Sequence, residues 1–376
     1  MSSFIIKFKN LSNEEGTVIA DAGFNYSDKL SNINEANIKL TSSSESKRSL
    51  IEIGSEVYIY RNGTLEFHGL IDSIDFLEGG GISAHASGYE IWLAKENGDY
   101  SSSPWQNTAS ATIFSNIVGE STKLSAGTIE AGTNIDFREE VTDSLWNAIS
   151  NLREKTQQDI QIDYANSEVD ILNHKGGSTS VATFNAGIQI SNIRISQSYP
   201  IGNDVRIYGK GDGVNQIKSD TSQGQDASSK ATYGTIRKIH KDSSVISVSE
   251  ANTLANALVA TYKDPVKIYD FEVLNPNQNL ISGDVITLNA KSQGLDNESV
   301  RIVGMEKGMN NGEEYLTLQV TNTAYAKLVK NRNEILARIE KSQRDSQTYM
   351  QGTTNVLTFA DMSNADSSTP LKIVSY

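Results

Sequence analysis

Histidine is the side chain best suited to proton transfer or metal ligation near neutral pH, and this chain carries four: His68, His85, His174 and His240. They are widely separated, and no two stand at the i, i+4 spacing of an HExxH helix. A zinc site would have to recruit carboxylates from distant segments. The spacing therefore predicts ordinary, partly exposed strand and loop histidines. A Ser–His–Asp hydrolase would need a strained GxSxG elbow, and the sequence has none. Asp72 and Asp75, three apart on one predicted strand, point to opposite faces and make a poor acid–base pair. The run Gly209-Lys210-Gly211-Asp212-Gly213 invites a phosphate-loop reading, but no Gly-Lys-Ser/Thr ending and no helix N-terminus follow. It predicts a tight turn or bulge at a barrel corner. Asp212, Asn215 and Asp220 miss the 1-3-5 spacing of a calcium loop. Trp92, Trp105 and Trp146 are expected as core or interface anchors. No catalytic, cofactor-binding or metal-binding residue is assigned, and no cofactor is expected.

Composition agrees with a non-catalytic role. The 376 residues suffice for two to four domains. Twenty-eight glycines and five prolines, with abundant Ser, Asn and Thr, suit turn-rich β-structure. There is no cysteine, so neither a disulfide framework nor a thiolate metal site can form. The net charge of −13 disfavours stable binding to a nucleic-acid duplex, which calls for a basic footprint. The same acidity would let DNA slide past without sticking, or would simply keep a large assembly soluble. No stretch approaches the ~20 apolar residues of a transmembrane helix, so no membrane anchor is expected. The opening Met1–Phe8 alternates like a strand and lacks a signal peptide's basic head and apolar run; synthesis and folding are expected in the cytosol.

The elements that would position any site are mostly strands. Phe4–Phe8 and Ile33–Leu40 alternate with period 2, and Thr41–Arg48 reads as a polar loop. Asn62-Gly63 is a strong type I′ hairpin signal. Tyr89–Leu93 is expected as the strand that closes a first barrel, followed by polar linker at Glu96–Ser103. A helix is predicted over Thr108–Val118, capped by Thr108 or Ser110, then an irregular Gly119–Gly132. A second helix is predicted from Thr142 or Asp143 to Thr156, with Leu145, Trp146, Ile149 and Leu152 on one stripe. Strands Ile160–Tyr164 and Glu168–Leu172 follow. Further on come strands Val205–Tyr208 and Tyr233–Ile239 and a helix Ser249–Tyr262, expected to cover a sheet face or edge of a second barrel. A last helix is predicted over Ala324–Tyr349, with a seam too short for a confident coiled-coil assignment. The terminal Leu371–Tyr376 reads as an apolar strand, either cut inside a further domain or pairing with a neighbour.

One pattern occurs twice. Ile53–Leu93 contains the strand Val57–Tyr60, the strand Gly69–Phe76, a Gly79-Gly80-Gly81 turn and a return strand. Ile281–Val320 contains Gly283–Leu288, Val300–Glu306, an Asn310-Asn311-Gly312 turn and Tyr315–Val320. A small β-barrel duplicated in one chain predicts a ring former. The fold class expected is mainly β: two small β-barrels, an α+β domain between them and a C-terminal helix. The boundaries expected are 1–103 for the first barrel, 104–200 for the α+β insert, 201–325 for the second barrel with its helix at about 249–262, and 326–376 for the terminal helix and extended segment.

This order resembles the gp27-like tail hub, or baseplate hub, proteins of tailed viruses and contractile injection machines. The resemblance is carried by Val205–Gly213, Tyr233-Gly234, Ser249–Tyr262 and Leu280–Val285, by Ser144–Ile149 with Gln161–Tyr164 in the insert, and by Gly352–Asn355 and Asp366–Leu371 at a junction to a tip module. It covers most of residues 1–350 and brings no catalytic residues with it. What it implies is a structural virion protein of the viral tail: a homotrimer whose two tail-tube-like barrels per chain make a ring of six similar units. Such a hub would adapt the six-fold tube to a three-fold tip and form part of the DNA channel. The partners implied are the tail tube or distal tail protein ring, a tape measure protein, a tip or receptor-binding protein, and genomic DNA in transit. The alternatives are a tail-tip cell-wall or polysaccharide hydrolase and a receptor-binding adhesin.

Overall fold

The computed structural model describes residues 4–18, 23–40, 49–138, 144–242, 245–265 and 267–322. The expected Thr41–Arg48 loop, the Ala324–Tyr349 helix and the segment after it lie outside the described residues.

The first barrel is made of β1 (Phe4–Lys9), β2 (Glu15–Val18), β3 (Phe24–Lys29), β4 (Glu35–Leu40), β5 (Glu56–Arg61), β6 (Thr64–Phe76) and β7 (Ile82–Gly88). Alternation does what the sequence predicts. Every second residue of β4, Ala36, Ile38 and Leu40, is buried, because successive side chains of a strand point to opposite faces. Asn62 and Gly63 adopt φ of 51° and 84°, the positive values of a type I′ turn between β5 and β6. The strands run β3-β4-β7-β6-β5-β1-β2 and roll around one core that includes Phe8, Tyr26, Ile38, Ile59 and Phe67. Phe4 of β1 meets Phe24 of β3 edge-on, centroids 5.1 Å apart, so opposite ends of the run share that core in an open barrel.

The insert comprises α1 (Ile91–Lys95), β8 (Trp105–Ala109), α2 (Ser110–Val118), β9 (Ser125–Ile129), β10 (Asn134–Phe137), α3 (Leu145–Thr156), β11 (Asp159–Asp163) and β12 (Glu168–Leu172). Its own core joins Leu93, Trp105, Phe114, Ile149 and Ile171. Three expectations are corrected here. Tyr89–Leu93 is not a closing strand: it leads into helix α1, because Leu93 finds its apolar partners in the insert. Ser125–Ile129 is not irregular but pairs in parallel with β12. The α3 cap is Ser144, whose hydroxyl accepts from Asn147 N–H, while α2 begins after Ala109 with no side-chain cap.

The second barrel starts earlier than position 201. β13 (Ser180–Asn185) and β14 (Ile190–Gln197) belong to it, after which the chain leaves for a small excursion: β15 (Asp204–Tyr208), α4 (Ala227–Tyr233), β16 (Arg237–Lys241) and α5 (Val248–Tyr262). Tyr233 therefore ends a helix rather than starting a strand. A capping box between Ser247 and Glu250 starts α5, two residues before the Ser249 expected from sequence. Helix α5 lies against β15, in a two-stranded parallel sheet of its own, and not over a barrel edge. β17 (Lys267–Val273), β18 (Val285–Ala290), β19 (Leu295–Asn310) and β20 (Glu313–Asn322) complete the barrel around Phe184, Tyr269, Phe271, Ile302 and Leu318.

The two barrels have the same wiring. In chain order the first uses β1, β3, β4, β5, β6, β7 and the second β13, β14, β17, β18, β19, β20. Both pair them in the sequence first, fourth, fifth, sixth, third, second. They differ in that β1 runs antiparallel to β5 while β13 runs parallel to β18. Even the irregularities repeat. A bulge falls between Ile71 and Ser73 on β6 and between Ile302 and Gly304 on β19. The turns before β5 and β18 place Gly54 and Gly283 at φ of 92° and 98°, where a Cβ is strongly disfavoured. In the first, Gly54 N–H donates to Ile71 O and Ile71 N–H to Ser55 O; in the second, Gly283 N–H donates to Ile302 O and Ile302 N–H to Asp284 O. Bulges are specific devices, so their recurrence supports duplication more strongly than shared alternation does.

Candidate assembly surface

The barrels are fused into one 13-stranded sheet by β3 and β19, which run antiparallel with Lys29 opposite Gly304, Tyr26 opposite Lys307 and Phe24 opposite Met309. The close approach depends on Gly308, where a Cβ would stand 2.2 Å from Phe24 O and 2.9 Å from Asn25 Cα. Gly308→Ala is expected to force this ladder apart at a cost of about 1–3 kcal/mol. Urea unfolding checks it; an unchanged midpoint would show that the seam tolerates a side chain there.

Charged groups cross the seam in networks. Arg61 donates through Nε and Nη2 to Glu314 Oε1 at 3.1 and 2.7 Å, and to Pro276 O at 2.8 Å. Lys307 Nζ and Tyr26 Oη both donate to Glu66 Oε2, at 2.9 and 2.5 Å. Burial, then the Glu66 negative charge, raises the Tyr26 phenol above its usual range.

A second network ties both barrels to the insert. Asp159 Oδ2, on β11, accepts from Arg301 Nη2 at 2.5 Å and from Lys175 N–H at 2.8 Å. Arg301 also donates to Gly283 O and Lys175 O. Lys175 Nζ reaches Asp28 Oδ1 at 2.9 Å, and Ser282 donates to the same carboxylate through its N–H and its hydroxyl. Burial pushes the Asp28 carboxyl up, but Lys175 and the Ser282 bonds outweigh it and hold it below its ordinary value. A third contact joins the first barrel to the insert: the buried Glu90 accepts from Asn34 N–H at 2.6 Å and from Tyr164 Oη at 3.2 Å. Burial raises its carboxyl to about 7.

The residues that could do chemistry are placed as follows. His68 is buried rather than partly exposed, stacked between Tyr58 and Tyr89 at 4.3 and 4.1 Å. His85 Nδ1 lies 2.6 Å from Asp72 Oδ1, but Ser87 donates to Asp72 and not to the imidazole, so the three do not form a nucleophile–base relay. His174 contacts Gly177 O through Nε2. Gly209–Gly213 does not stand at the expected barrel corner: it follows β15 in the excursion, where Gly209 N–H donates to Ile217 O and Lys210 N–H to Val245 O, because β15 pairs with β16 and not with a barrel strand. Asp220 is held by Asn252. Trp105 packs on Phe137, and Trp92 is flanked by Lys95 and Lys123. Among the described residues, no group of three His, Asp or Glu side chains is arranged to hold a metal. The ionic networks escaped the sequence reading because their members lie up to 254 positions apart; the Gly283-Asp284 turn was the one local signal.

The fold is that of phage tail proteins. It resembles the 43 kDa tail protein of prophage MuSo2 from Shewanella oneidensis (TM-score 0.60, 12% identity, covering 86% of this chain and 99% of that one). It resembles the tail protein from Neisseria meningitidis MC58 (0.65, 10%, 86% and 98%). It also resembles the prophage tail protein gp18 from Listeria monocytogenes EGD-e (0.61, 12%, 90% and 99%). The YQBQ-like family model matches residues 26–321, and the chain belongs to that family. No curated protein matches by sequence. The tail-hub resemblance drawn from the residues thus holds at the level of family and fold.

Proposed function

We propose that this chain is a structural virion protein, a trimeric tail hub at the distal end of the tail tube. The observation that carries the reading is the repeated strand order of the two barrels together with their fusion through β3 and β19. One chain then contributes two adjacent, similar wall segments, and three chains contribute six, which adapts a six-fold tube to a three-fold tip. Heterologous contacts that close into a ring are a recognised route to such assemblies. The net charge of −13 suits a wall past which the DNA backbone moves without being held. The tail tube or distal tail ring and the tape measure protein would meet the ring, and residues 326–376 would lead to the tip or receptor-binding protein. The insert would brace it from outside.

Native mass measurement of the full chain is expected to give a three-chain species, with ring-shaped particles by electron microscopy. A monomer at micromolar concentration, and no ring at the tail end of assembled particles, would overturn the proposal.

A further inference from the structure

The small sheet of the excursion departs from the habit of its kind. Parallel sheets almost always have both faces covered and belong to larger layers, yet β15 and β16 form a parallel pair by themselves. The far edge of β15 is closed by bridges to Gln225 and Lys218. The far edge of β16 carries no ladder among the described residues. Asp204 N–H donates to Ile236 O and Asp242 N–H to Tyr208 O, so the peptide groups that face β15 belong to alternate residues, Lys238 and His240 among them. The N–H and C=O groups of Arg237, Ile239 and Lys241 therefore point away from β15, out of the sheet edge.

The same three residues share a face. Lys238 and His240 stand in register with the buried Val205 and Ile207, while Arg237, Ile239 and Lys241 stand on the other side and are exposed, Ile239 by 53%. The strand is basic and holds no carboxylate, in a chain whose net charge is −13. Beside it the single carboxylate of Asp204 meets Arg206 at 2.9 Å, Arg237 at 2.8 Å and Lys230 at 3.6 Å, which leaves positive charge in excess. Edge lysines commonly keep copies of one sheet apart, but blunting alone gives no reason for an exposed isoleucine between two cations. We infer that β16 takes up an extended, acidic segment of a partner protein as a third strand. The segment recognised has the pattern acid–x–apolar–x–acid: its apolar side chain lies against Ile239, and its carboxylates pair across the strands with Arg237 and Lys241. Main-chain bonds to the open edge supply affinity, as in other strand additions, and like charge excludes a second β16.

This pairing does not depend on how many chains form the hub. Its test uses the full-length chain and a fluorescein-labelled peptide, Thr-Thr-Glu-Thr-Val-Thr-Glu-Thr-Thr, with a permuted peptide in which the two Glu and the Val are contiguous. Fluorescence anisotropy is expected to show the alternating peptide binding at least tenfold more tightly than the permuted one. Ile239→Pro removes an outward N–H without touching the ladder to β15, a position where an edge strand tolerates proline, and should weaken binding at least tenfold. Lys241→Glu, on the exposed face, should do the same without a backbone change. One of the two peptides with a single Glu→Lys exchange should then regain binding to Lys241→Glu, and which one does so gives the direction of the added strand. Equal binding of the alternating and permuted peptides would reduce the effect to general charge attraction and overturn the inference. So would the absence of saturable binding, binding that survives both substitutions, or failure of both exchanged peptides. A single-stranded oligodeoxynucleotide that outcompetes the peptide and is lost with the same substitutions would make this a nucleic-acid surface, and overturn it too.

Discussion

Arg301→Met should destabilise the protein by about 3–5 kcal/mol, the cost of leaving a buried charge without its partner. Arg301 and Asp159 are each 1% exposed, and Asp159 has no solvent to compensate for the loss of its 2.5 Å contact to Arg301. Arg153 stands 3.9 Å from the other carboxylate oxygen, too far to hydrogen-bond it. Arg301 also holds two carbonyls, of Gly283 and Lys175, so its removal loosens the turn that begins β18 as well as the insert. The double variant Asp159→Asn/Arg301→Met removes both charges and should recover about half of the loss, since paired removal is far milder than breaking one side. Urea unfolding of wild type, single and double variants reads this directly. If the double variant is no more stable than Arg301→Met, the uncompensated charge is not the cause.

Glu90 should make stability fall as pH rises. Its folded carboxyl sits at about 7, raised from 4.5 by burial. Between those two values the folded chain keeps a proton that the unfolded chain has released, so unfolding becomes easier with each step up in pH. The difference amounts to about 3 kcal/mol between pH 4.5 and 7, and is flat above. Glu90→Gln keeps a carbonyl oxygen for Asn34 N–H and cannot ionise. It is expected to match wild type near pH 4.5 and to exceed it by about 3 kcal/mol at pH 8. Asp28, held below its ordinary value, loses its contribution only as pH falls through that depressed range, outside this window. Thermal or urea unfolding at several pH values provides the check; parallel pH profiles for the two proteins would remove Glu90 as the cause.

Both sites were invisible in the sequence for the same reason. Glu90 stands in a stretch, Tyr89–Leu93, whose apolar residues read equally well as a short strand. What makes it a helix start is a distant apolar core that takes Leu93, and what buries Glu90 is an arrangement with Asn34 and Tyr164. Asp159 and Arg301 each lie at a strand position where alternation specifies a face, but not that the faces meet. The short strands β8 and β9 were missed because five residues with Gly, Ser or Thr among them carry little periodic signal, and β10 because its four alternating residues are too few to establish a period.

The residues alone determined the mainly β character, the alternation that buries β4 and the Asn62-Gly63 turn. They also determined the paired strand series at Ile53–Leu93 and Ile281–Val320, because period-2 patterning and turn chemistry act over a few neighbouring positions. Tertiary structure decided that residues 180–197 serve the second barrel, that α5 covers a sheet of its own, and that β3 joins β19 across 281 positions. A strand's pattern says which side is apolar; which edge receives which partner depends on the closing of long loops and the fit of distant cores.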